Sequence, residues 1–189
     1  AFVTSMSSFD YGHLRQGSHG PDDYIKSYYV QRADSIDQVI NQNDPLLQIP
    51  TAYSQINLMQ KIRFKPNEKL DFQYGFHYSE TSTYGRYDRH NRVKNGTARY
   101  AEWNYGPQKW MMHHLSINHS SANKNYDELN SRIAIQSFEE SRIDRSLNSN
   151  IRNVQIEKVD AYSMNLDFLK SVRKRNTIYY GFEYVLNNV

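Results

Sequence analysis

Five stretches of this chain alternate apolar and polar residues with a period of two, and this alternation constrains the fold more than any other feature. The clearest stretch is 70–79. Its apolar positions are Leu70, Phe72, Tyr74, Phe76 and Tyr78. The other four stretches have apolar residues at Ile56, Leu58, Ile62, Phe64; Met111, Leu115, Ile117; Tyr162, Met164, Leu166, Phe168; and Ile178, Tyr180, Phe182, Tyr184, Leu186. A period of two indicates a β-strand with one apolar and one polar face. The sequence therefore predicts an all-β protein.

The composition suggests where the apolar faces lie. Only 38% of the residues are hydrophobic, the mean hydropathy is −0.85, and the chain nevertheless carries 16 Tyr and 8 Phe. A transmembrane β-barrel has this balance, because each strand shows lipid one aromatic-rich face and keeps a polar face inside. We therefore expect part of a large antiparallel transmembrane β-barrel.

The spacing of turn signals predicts seven wall strands with unequal connections. The predicted strands are about 1–11, 53–65, 69–82, 108–120, 127–145, 150–169 and 176–187. Short turns at 66–69, 121–126 and 171–175 lie at one end. Long connections at 12–52 and 83–107 lie at the other, together with a third, tighter connection at about 146–150. The first long connection is expected to hold a small hairpin, 24–32 against 35–42. Short periplasmic turns and long extracellular loops are typical of outer-membrane barrels.

The strand number indicates a piece of a larger barrel. Seven is odd, whereas bacterial single-chain barrels have even strand numbers. The chain also begins and ends within strand-like sequence, and unpaired backbone groups in lipid cost several kcal/mol each. We expect residues 1–189 to be a fragment of a barrel domain. An export signal is expected upstream or already removed, because the chain starts without Met or a basic leader.

Other classes of protein are disfavoured by composition. The chain has no cysteine, which excludes disulfides and thiolate metal sites. Its net charge is only +3, and its one dense basic run, Lys170, Arg173, Lys174 and Arg175, falls in a predicted turn. Nucleic-acid binding would need basic residues gathered on one surface. No catalytic motif is present, so we expect neither an enzyme nor a nucleic-acid-binding protein.

Several local strings resemble a known family. The strings YSQINLMQKIRFKP (53–66), LDFQYGFHYSET (70–81), YGRYDR (84–89) and WNYGP (103–107) resemble the barrel of TonB-dependent outer-membrane receptors, particularly Bacteroidetes-type ones. The resemblance implies a barrel of 22 strands closed by a plug, a location in the bacterial outer membrane, and contact with lipid and lipopolysaccharide. It also implies energy-coupled import of a scarce extracellular ligand such as a ferric siderophore. The implied partners are a TonB energy-transducing complex and, in some receptors of this type, a surface lipoprotein.

The segment 84–105 is the candidate ligand-binding loop. It interleaves aromatic rings with cations: Tyr84, Arg86, Tyr87, Arg89, His90, Arg99, Tyr100, Trp103 and Tyr105. Arginine offers bidentate hydrogen bonds to anions, and aromatic rings offer flat contact area, so the segment suits an anionic, aromatic ferric chelate. The alternative is a loop that only packs against neighbouring loops and lipopolysaccharide. The loop histidines His13, His19 and His90 are expected to be solvated, with no bound cofactor or metal.

Two other functions stay open at this point. A passive porin-like channel would share the strand pattern but lack a plug. A soluble β-sandwich that binds glycans through aromatic loops would need polar outer faces.

Overall fold

Long antiparallel strands form the body of the structure, a computed structural model that describes residues 1–173 and 176–189. The strands, in chain order, are β1 (Phe2–Tyr11), β2 (Leu14–Arg15), β3 (Tyr28–Ala33), β4 (Ile36–Asn41), β5 (Leu47–Gln48), β6 (Tyr53–Asn67), β7 (Leu70–Thr81), β8 (Tyr84–Gly85), β9 (Val93–Lys94), β10 (Thr97–Ala98), β11 (Tyr100–Ser120), β12 (Glu128–Ser146), β13 (Asn153–Val172) and β14 (Asn176–Asn188). The helical elements are a 3-10 turn (Asp22–Tyr24) and one α-helical turn, α1 (Tyr87–His90). The predicted all-β class is confirmed.

One large sheet contains all the long strands in the order β1-β6-β7-β11-β12-β13-β14, and β8 joins it by pairing with β11. Each neighbouring pair along this order is antiparallel. The seven predicted strands are therefore present. Six keep their predicted bounds within about three residues, whereas β11 begins at Tyr100 and not at about residue 108. Within the described residues the sheet is open, with β1 and β14 as its edges, and it does not close into a barrel.

The strand register places the apolar residues on one continuous face. Residues directly opposite each other on adjacent strands project to the same side. One row crosses all seven long strands: Phe2, Ile62, Tyr74, Leu115, Ile133, Met164 and Tyr184. The next residues along each strand form a contrasting row on the other face: Val3, Lys61, Gly75, His114, Ala134, Ser163 and Val185. We call the first surface the apolar face and the second the polar face.

The apolar face is uncovered. Phe182 and Tyr184 are each about half exposed, and Phe2 is 80% exposed. Among the described residues no second large sheet packs against this one. The buried apolar residues of the described part of the chain, Tyr87, Ala98, Ala101 and Ile143, all lie at the end that carries the long connections. The hydrophobic core is therefore a small cluster under the loops and not a layer between two sheets.

The long connections carry two small hairpins. The predicted hairpin in the first connection is confirmed as β3 and β4, although its first strand begins at Tyr28 because Asp22–Tyr24 forms a 3-10 turn. Its two turn residues, Asp34 and Ser35, both have positive φ, as two-residue hairpin turns often require. Asn95 and Gly96 form an equivalent turn between β9 and β10.

The short connections that follow β6 and β11 lie at the opposite end, as predicted, whereas the short connection between β12 and β13 lies at the loop end. The turn between β11 and β12 is fastened by Lys170, whose Nζ lies 2.7 Å from a carboxylate oxygen of Asp127. Two members of the predicted basic run, Lys174 and Arg175, lie outside the described residues. In the part of the chain that is described, no helix has the length and apolar character needed to cross a membrane.

Candidate functional site

A groove of about 410 Å³ opens near the loop end of the sheet, beside strand residues that belong to the polar face. We call it the arginine groove. It is lined by Arg86, Arg89, Trp103, Tyr105 and Arg142, with the start of β13 completing its wall. Four of these five residues belong to the predicted ligand-binding segment. The fifth, Arg142, is contributed by β12.

Backbone pairing positions this segment. β8 pairs with β11 through Tyr84 opposite Tyr105 and Gly85 opposite Asn104. The Arg86 backbone N–H then donates to the Trp103 carbonyl at 2.9 Å, and α1 follows immediately. Arg86 and Arg89 are thereby carried to the same side of β11 as Trp103 and Tyr105.

The prediction that Tyr100, Trp103 and Tyr105 lie in a loop is wrong, because β11 begins at Tyr100. Two irregularities hid this part of the strand: register shifts occur between Tyr100 and Glu102 and between Tyr105 and Gln108. Bulges add a residue to one strand and interrupt the period of two. Pro107 lies in the second irregularity, where a missing N–H does not break the ladder.

Cation–π contacts and hydrogen bonds organise the groove. The Arg86 guanidinium carbon lies 5.2 Å from the Trp103 ring centre, and its Nη1 donates to the Tyr105 hydroxyl at 2.9 Å. The Arg89 guanidinium carbon lies 5.3 Å from the same Trp103 ring, and that of Arg142 lies 5.8 Å from the Tyr105 ring. Three guanidinium groups therefore gather around two rings.

Each of the three guanidinium groups has a carboxylate within 4 Å, and Asp144 also lines the groove. Arg86 pairs with Asp88 at 2.7 Å, and Arg142 reaches Glu157 at 3.2 Å. Arg89 lies 3.8 Å from Asp88, too far for a hydrogen bond, and its Nε is buried without a partner among the described residues. An unsatisfied buried donor is costly.

A line of aromatic rings connects the groove to a second cavity. The rings of Tyr11 and Tyr53 lie 4.7 Å apart, Tyr53 and Tyr84 5.5 Å, Tyr84 and Tyr105 6.2 Å, and Tyr105 and Trp103 5.5 Å. The second cavity, about 810 Å³, lies between the first long connection and α1, and five tyrosines contribute to its lining, Tyr84 and Tyr87 among them. We call it the tyrosine cavity. Burial raises the pKa of both of these phenols above the ordinary value of 10.

The remaining predicted site residues have structural contacts. Tyr87 is buried, and its hydroxyl donates to the Tyr24 carbonyl at 2.8 Å. His90 is buried, and its Nε2 accepts the Trp103 backbone N–H at 3.2 Å; burial lowers the pKa of its imidazole. Arg99 stacks on the Tyr100 ring at 5.0 Å and lines neither the groove nor the tyrosine cavity.

The expectation that His90 and His13 are solvated is wrong. His90 is buried, and the Nδ1 of His13 accepts the backbone N–H groups of Thr51 and Ala52 at 3.1 and 3.0 Å. Among the described residues no three His, Cys, Asp or Glu side chains gather as a metal site.

Ion pairs that the sequence analysis missed hold the hairpin β3–β4 in place. The side chain of Asp37 is fully buried against Arg145, with N–O distances of 2.6 and 2.8 Å. Arg145 also donates to Glu102 at 2.8 Å. The hydrogen bonds from Arg145 hold the pKa of Asp37 below its usual value.

Lys26 provides a second attachment of the same connection. Its Nζ donates to the His90 carbonyl at 2.6 Å and lies 4.7 Å from the Tyr28 ring centre. Burial lowers the pKa of this amine to about 8. Because Lys26 binds α1, the first long connection is tied to the element that carries Arg89.

No protein-family model, curated protein sequence or solved structure matches this chain.

Proposed function

We propose that this chain forms part of the wall of an outer-membrane β-barrel, and that the barrel is a nutrient receptor of the TonB-dependent type. The observation that supports this proposal is the continuous, uncovered apolar face. Exposed apolar patches of this extent are unusual on soluble monomers. In a bilayer, the same face would contact lipid while the polar face lines a wet interior.

Charges cross the apolar face towards the loop end. They form a row of alternating sign on four consecutive strands: Glu80, Lys109, Glu139 and Lys158. Lys109 approaches Glu80 at 3.6 Å and Lys158 approaches Glu139 at 2.7 Å. Charges are costly at the centre of a bilayer but tolerated at its interface.

At the end with the short turns, aromatic rings border the apolar face. The Phe168 ring lies 5.7 Å from Tyr126 and 4.9 Å from Tyr180, close to the short turns. Rings at this level are typical of the girdles of outer-membrane barrels. On β7 the apolar face runs from Leu70 to Tyr78, in keeping with the ~9–11 residues that a tilted strand needs to cross a bilayer.

The arginine groove is the proposed place of ligand capture. It lies at the loop end, which faces the outside in this arrangement, and combines guanidinium groups with aromatic rings. These groups suit an anionic ligand with flat rings, and a ferric siderophore of the catecholate class fits that description. Import would draw energy from the TonB complex.

The two alternatives make different demands. A passive porin-like channel would use the same wall but would transport its solute without an energy source. A soluble glycan-binding sandwich would need a second sheet over the apolar face, and the described residues form none. The uncovered apolar face therefore favours a membrane wall.

Fluorescence and uptake measurements on the full chain test the proposal. The chain has two tryptophans, Trp103 in the groove and Trp110 outside it, so a Trp110→Phe variant leaves one reporter. A ferric tris-catecholate should quench Trp103, and Arg86→Gln with Arg89→Gln should weaken its binding at least about tenfold. Arg63→Gln, which removes a polar-face ion pair with Asp71, is the matched control and should leave binding unchanged.

Cells should accumulate the same chelate, and collapse of the proton-motive force should stop the accumulation. Unaltered binding by the double arginine variant would contradict the groove assignment. Accumulation that survives collapse of the proton-motive force would favour the passive channel.

A further inference from the structure

The tyrosine cavity is a formed space at the loop end that the proposed ligand capture does not use. Its volume of about 810 Å³ lies within the range of small-molecule sites, about 300–1,000 Å³. The first long connection supplies one wall, and β1, β6, β8 and α1 contribute the rest. The cavity is therefore large enough for a drug-sized molecule.

Hydrogen bonds fasten the walls of the cavity to each other. The Tyr87 hydroxyl donates to the Tyr24 carbonyl at 2.8 Å, and Asn91 Nδ2 donates to the Asp23 carbonyl at 2.9 Å. Both bonds join the first long connection to α1 or to the residue that follows it. A site whose walls are held before binding loses less conformational entropy when a ligand enters.

Three tyrosine rings form a continuous row along the cavity. The rings of Tyr11 and Tyr53 have centres 4.7 Å apart and planes inclined by 25°, and Tyr84 follows at 5.5 Å from Tyr53. All three residues line the cavity. Aromatic rings attract each other in offset or tilted arrangements at centre separations of about 4.5–7 Å. The row therefore offers the same kind of contact to the flat ring of a ligand.

The charge on the walls is compensated. Of the described residues that line the cavity, Asp88 carries the one charged side chain, and no lysine or arginine is among them. The Asp88 carboxylate pairs with Arg86 at 2.7 Å and has Arg89 at 3.8 Å. A cationic ligand would have to compete with these two guanidinium groups, and an anionic ligand would meet no cation on the described walls. The charges therefore favour an uncharged ligand.

Two of the polar side chains in the cavity already have hydrogen-bond partners. Gln16 Nε2 donates to the Pro21 carbonyl at 2.9 Å, and Thr51 Oγ1 donates to the Gln48 carbonyl at 2.7 Å. A sugar brings several hydroxyl groups, and burial of a hydroxyl without a hydrogen bond is costly. A ligand with one hydroxyl group needs one partner, which a phenol group of the wall can supply.

These observations together define the ligand. Ring-lined walls suit flat rings, the compensated charge suits a neutral molecule, and the engaged polar side chains suit a molecule with few hydroxyl groups. We propose that the tyrosine cavity binds an uncharged hydroxyarene, a molecule of fused aromatic rings that carries one hydroxyl group. This site is separate from the arginine groove, and the inference does not rest on import.

Equilibrium dialysis of the full chain in detergent tests the site with β-naphthol, which is uncharged at neutral pH. Micelles without protein, at the same detergent concentration, correct for partition of the probe into detergent. We expect one β-naphthol to be retained per chain above this background. Methyl glucoside, β-naphthalenesulfonate and β-naphthyltrimethylammonium, added as competitors, should not displace it.

Matched variants locate the bound probe. Tyr53→Leu removes the middle ring of the row and should weaken binding about two- to tenfold, whereas Tyr179→Leu removes an exposed ring on β14 and should leave binding unchanged. Gly12→Phe adds a ring to the cavity wall, where a Cβ meets no atom within 4 Å, and should abolish retention. Gly17→Phe is the control, because its Cβ is equally free of contacts but does not line the cavity.

Three outcomes would overturn the proposal. Failure of the folded chain to retain β-naphthol above the micelle background excludes the site. Displacement of β-naphthol by the glucoside, the sulfonate or the ammonium compound would show that the cavity takes a sugar, an anion or a cation instead. Retention that is unchanged in both Tyr53→Leu and Gly12→Phe would place the probe elsewhere on the chain. Each outcome is independent of ferric catecholate binding and of transport, so the two proposals can fail separately.

Discussion

Asp37 and Arg145, 108 positions apart in sequence, form a bidentate ion pair with N–O distances of 2.6 and 2.8 Å. The pair joins the tip of the hairpin β3–β4 to the outer end of β12. Glu102 on β11 accepts a further hydrogen bond from the same guanidinium. The loops at this end are thus fastened to the sheet by buried charge, next to the proposed site of ligand capture.

Removal of one partner should release the hairpin. Asp37→Asn leaves the buried Arg145 guanidinium short of a counter-charge, which typically costs about 3–5 kcal/mol. Hydrogen exchange should become faster in β3 and β4 and stay unchanged in β13. Arg152→Ala, which removes an exposed partner of Glu102, is the control and should cost less than about 1 kcal/mol. Equal protection of the hairpin in Asp37→Asn and the unsubstituted chain would contradict a structural role for the pair.

The same pair predicts a response to acid. The hydrogen bonds from Arg145 lower the pKa of Asp37 below its ordinary value of 3.8. The stability that this ion pair gives the hairpin is therefore fully present above pH 3.8. It is lost as the pH falls through the lower pKa of the folded state. Protection of β3 and β4 should therefore drop below about pH 4, and the Asp37→Asn variant should lack this step. A step of the same size in the variant would assign the acid response to other carboxyl groups.

Lys26 predicts a response at the alkaline end. Its pKa is about 8 in the folded chain and 10.5 for the free side chain, so between these values the unfolded state binds more protons. Stability should then rise with pH in this window. Urea unfolding measures this effect if the unsubstituted chain is compared with Lys26→Met. From pH 8 to 10, the free energy of unfolding of the unsubstituted chain should rise relative to that of the variant. A difference that does not change with pH would refute the lowered pKa.

Gly85 should be intolerant of a side chain. A Cβ at this position would collide with the Pro50 backbone carbonyl, which cannot move as a side chain can. Gly85→Ala should destabilise the chain by about 1–3 kcal/mol and enlarge the opening of the tyrosine cavity. Gly17→Ala is the control, because no atom lies within 4 Å of the place that its Cβ would take, and it should be nearly neutral. Equal stability of the two variants by urea unfolding would contradict the close approach of the first connection to β8.

Consecutive residues on β12 should differ in their tolerance of charge. Ile133 lies in the middle of the apolar face and Ala134 on the polar face. If the apolar face contacts lipid, Ile133→Lys should destabilise the inserted chain by about 2–4 kcal/mol, and Ala134→Lys should have little effect. Unfolding from vesicles followed by fluorescence measures both. Similar losses in the two variants would mean that the faces are not distinguished by lipid.

The period of two was sufficient to predict the seven long strands, their short turns and the hairpin in the first connection. Each of these features depends on neighbouring residues and on a pattern that burial imposes locally. It failed at Tyr100–Tyr105, where bulges interrupt the alternation of β11. Four groove residues could be named in advance because they are close in sequence. Arg142, Asp37 and Arg145 could not, because only the register of β12 and the folding of the first connection bring them to the loop end.

The most direct measurement is the depth and solvent access of two consecutive residues on β13 in a lipid bilayer. The chain has no cysteine, so Met164→Cys and Asn165→Cys can each carry a single nitroxide label. We expect the label at position 164, on the apolar face, to collide with dissolved oxygen and to be shielded from a water-soluble nickel chelate. The label at position 165, on the polar face, should show the reverse. Equal access of the nickel chelate to both labels would contradict a lipid-facing apolar surface.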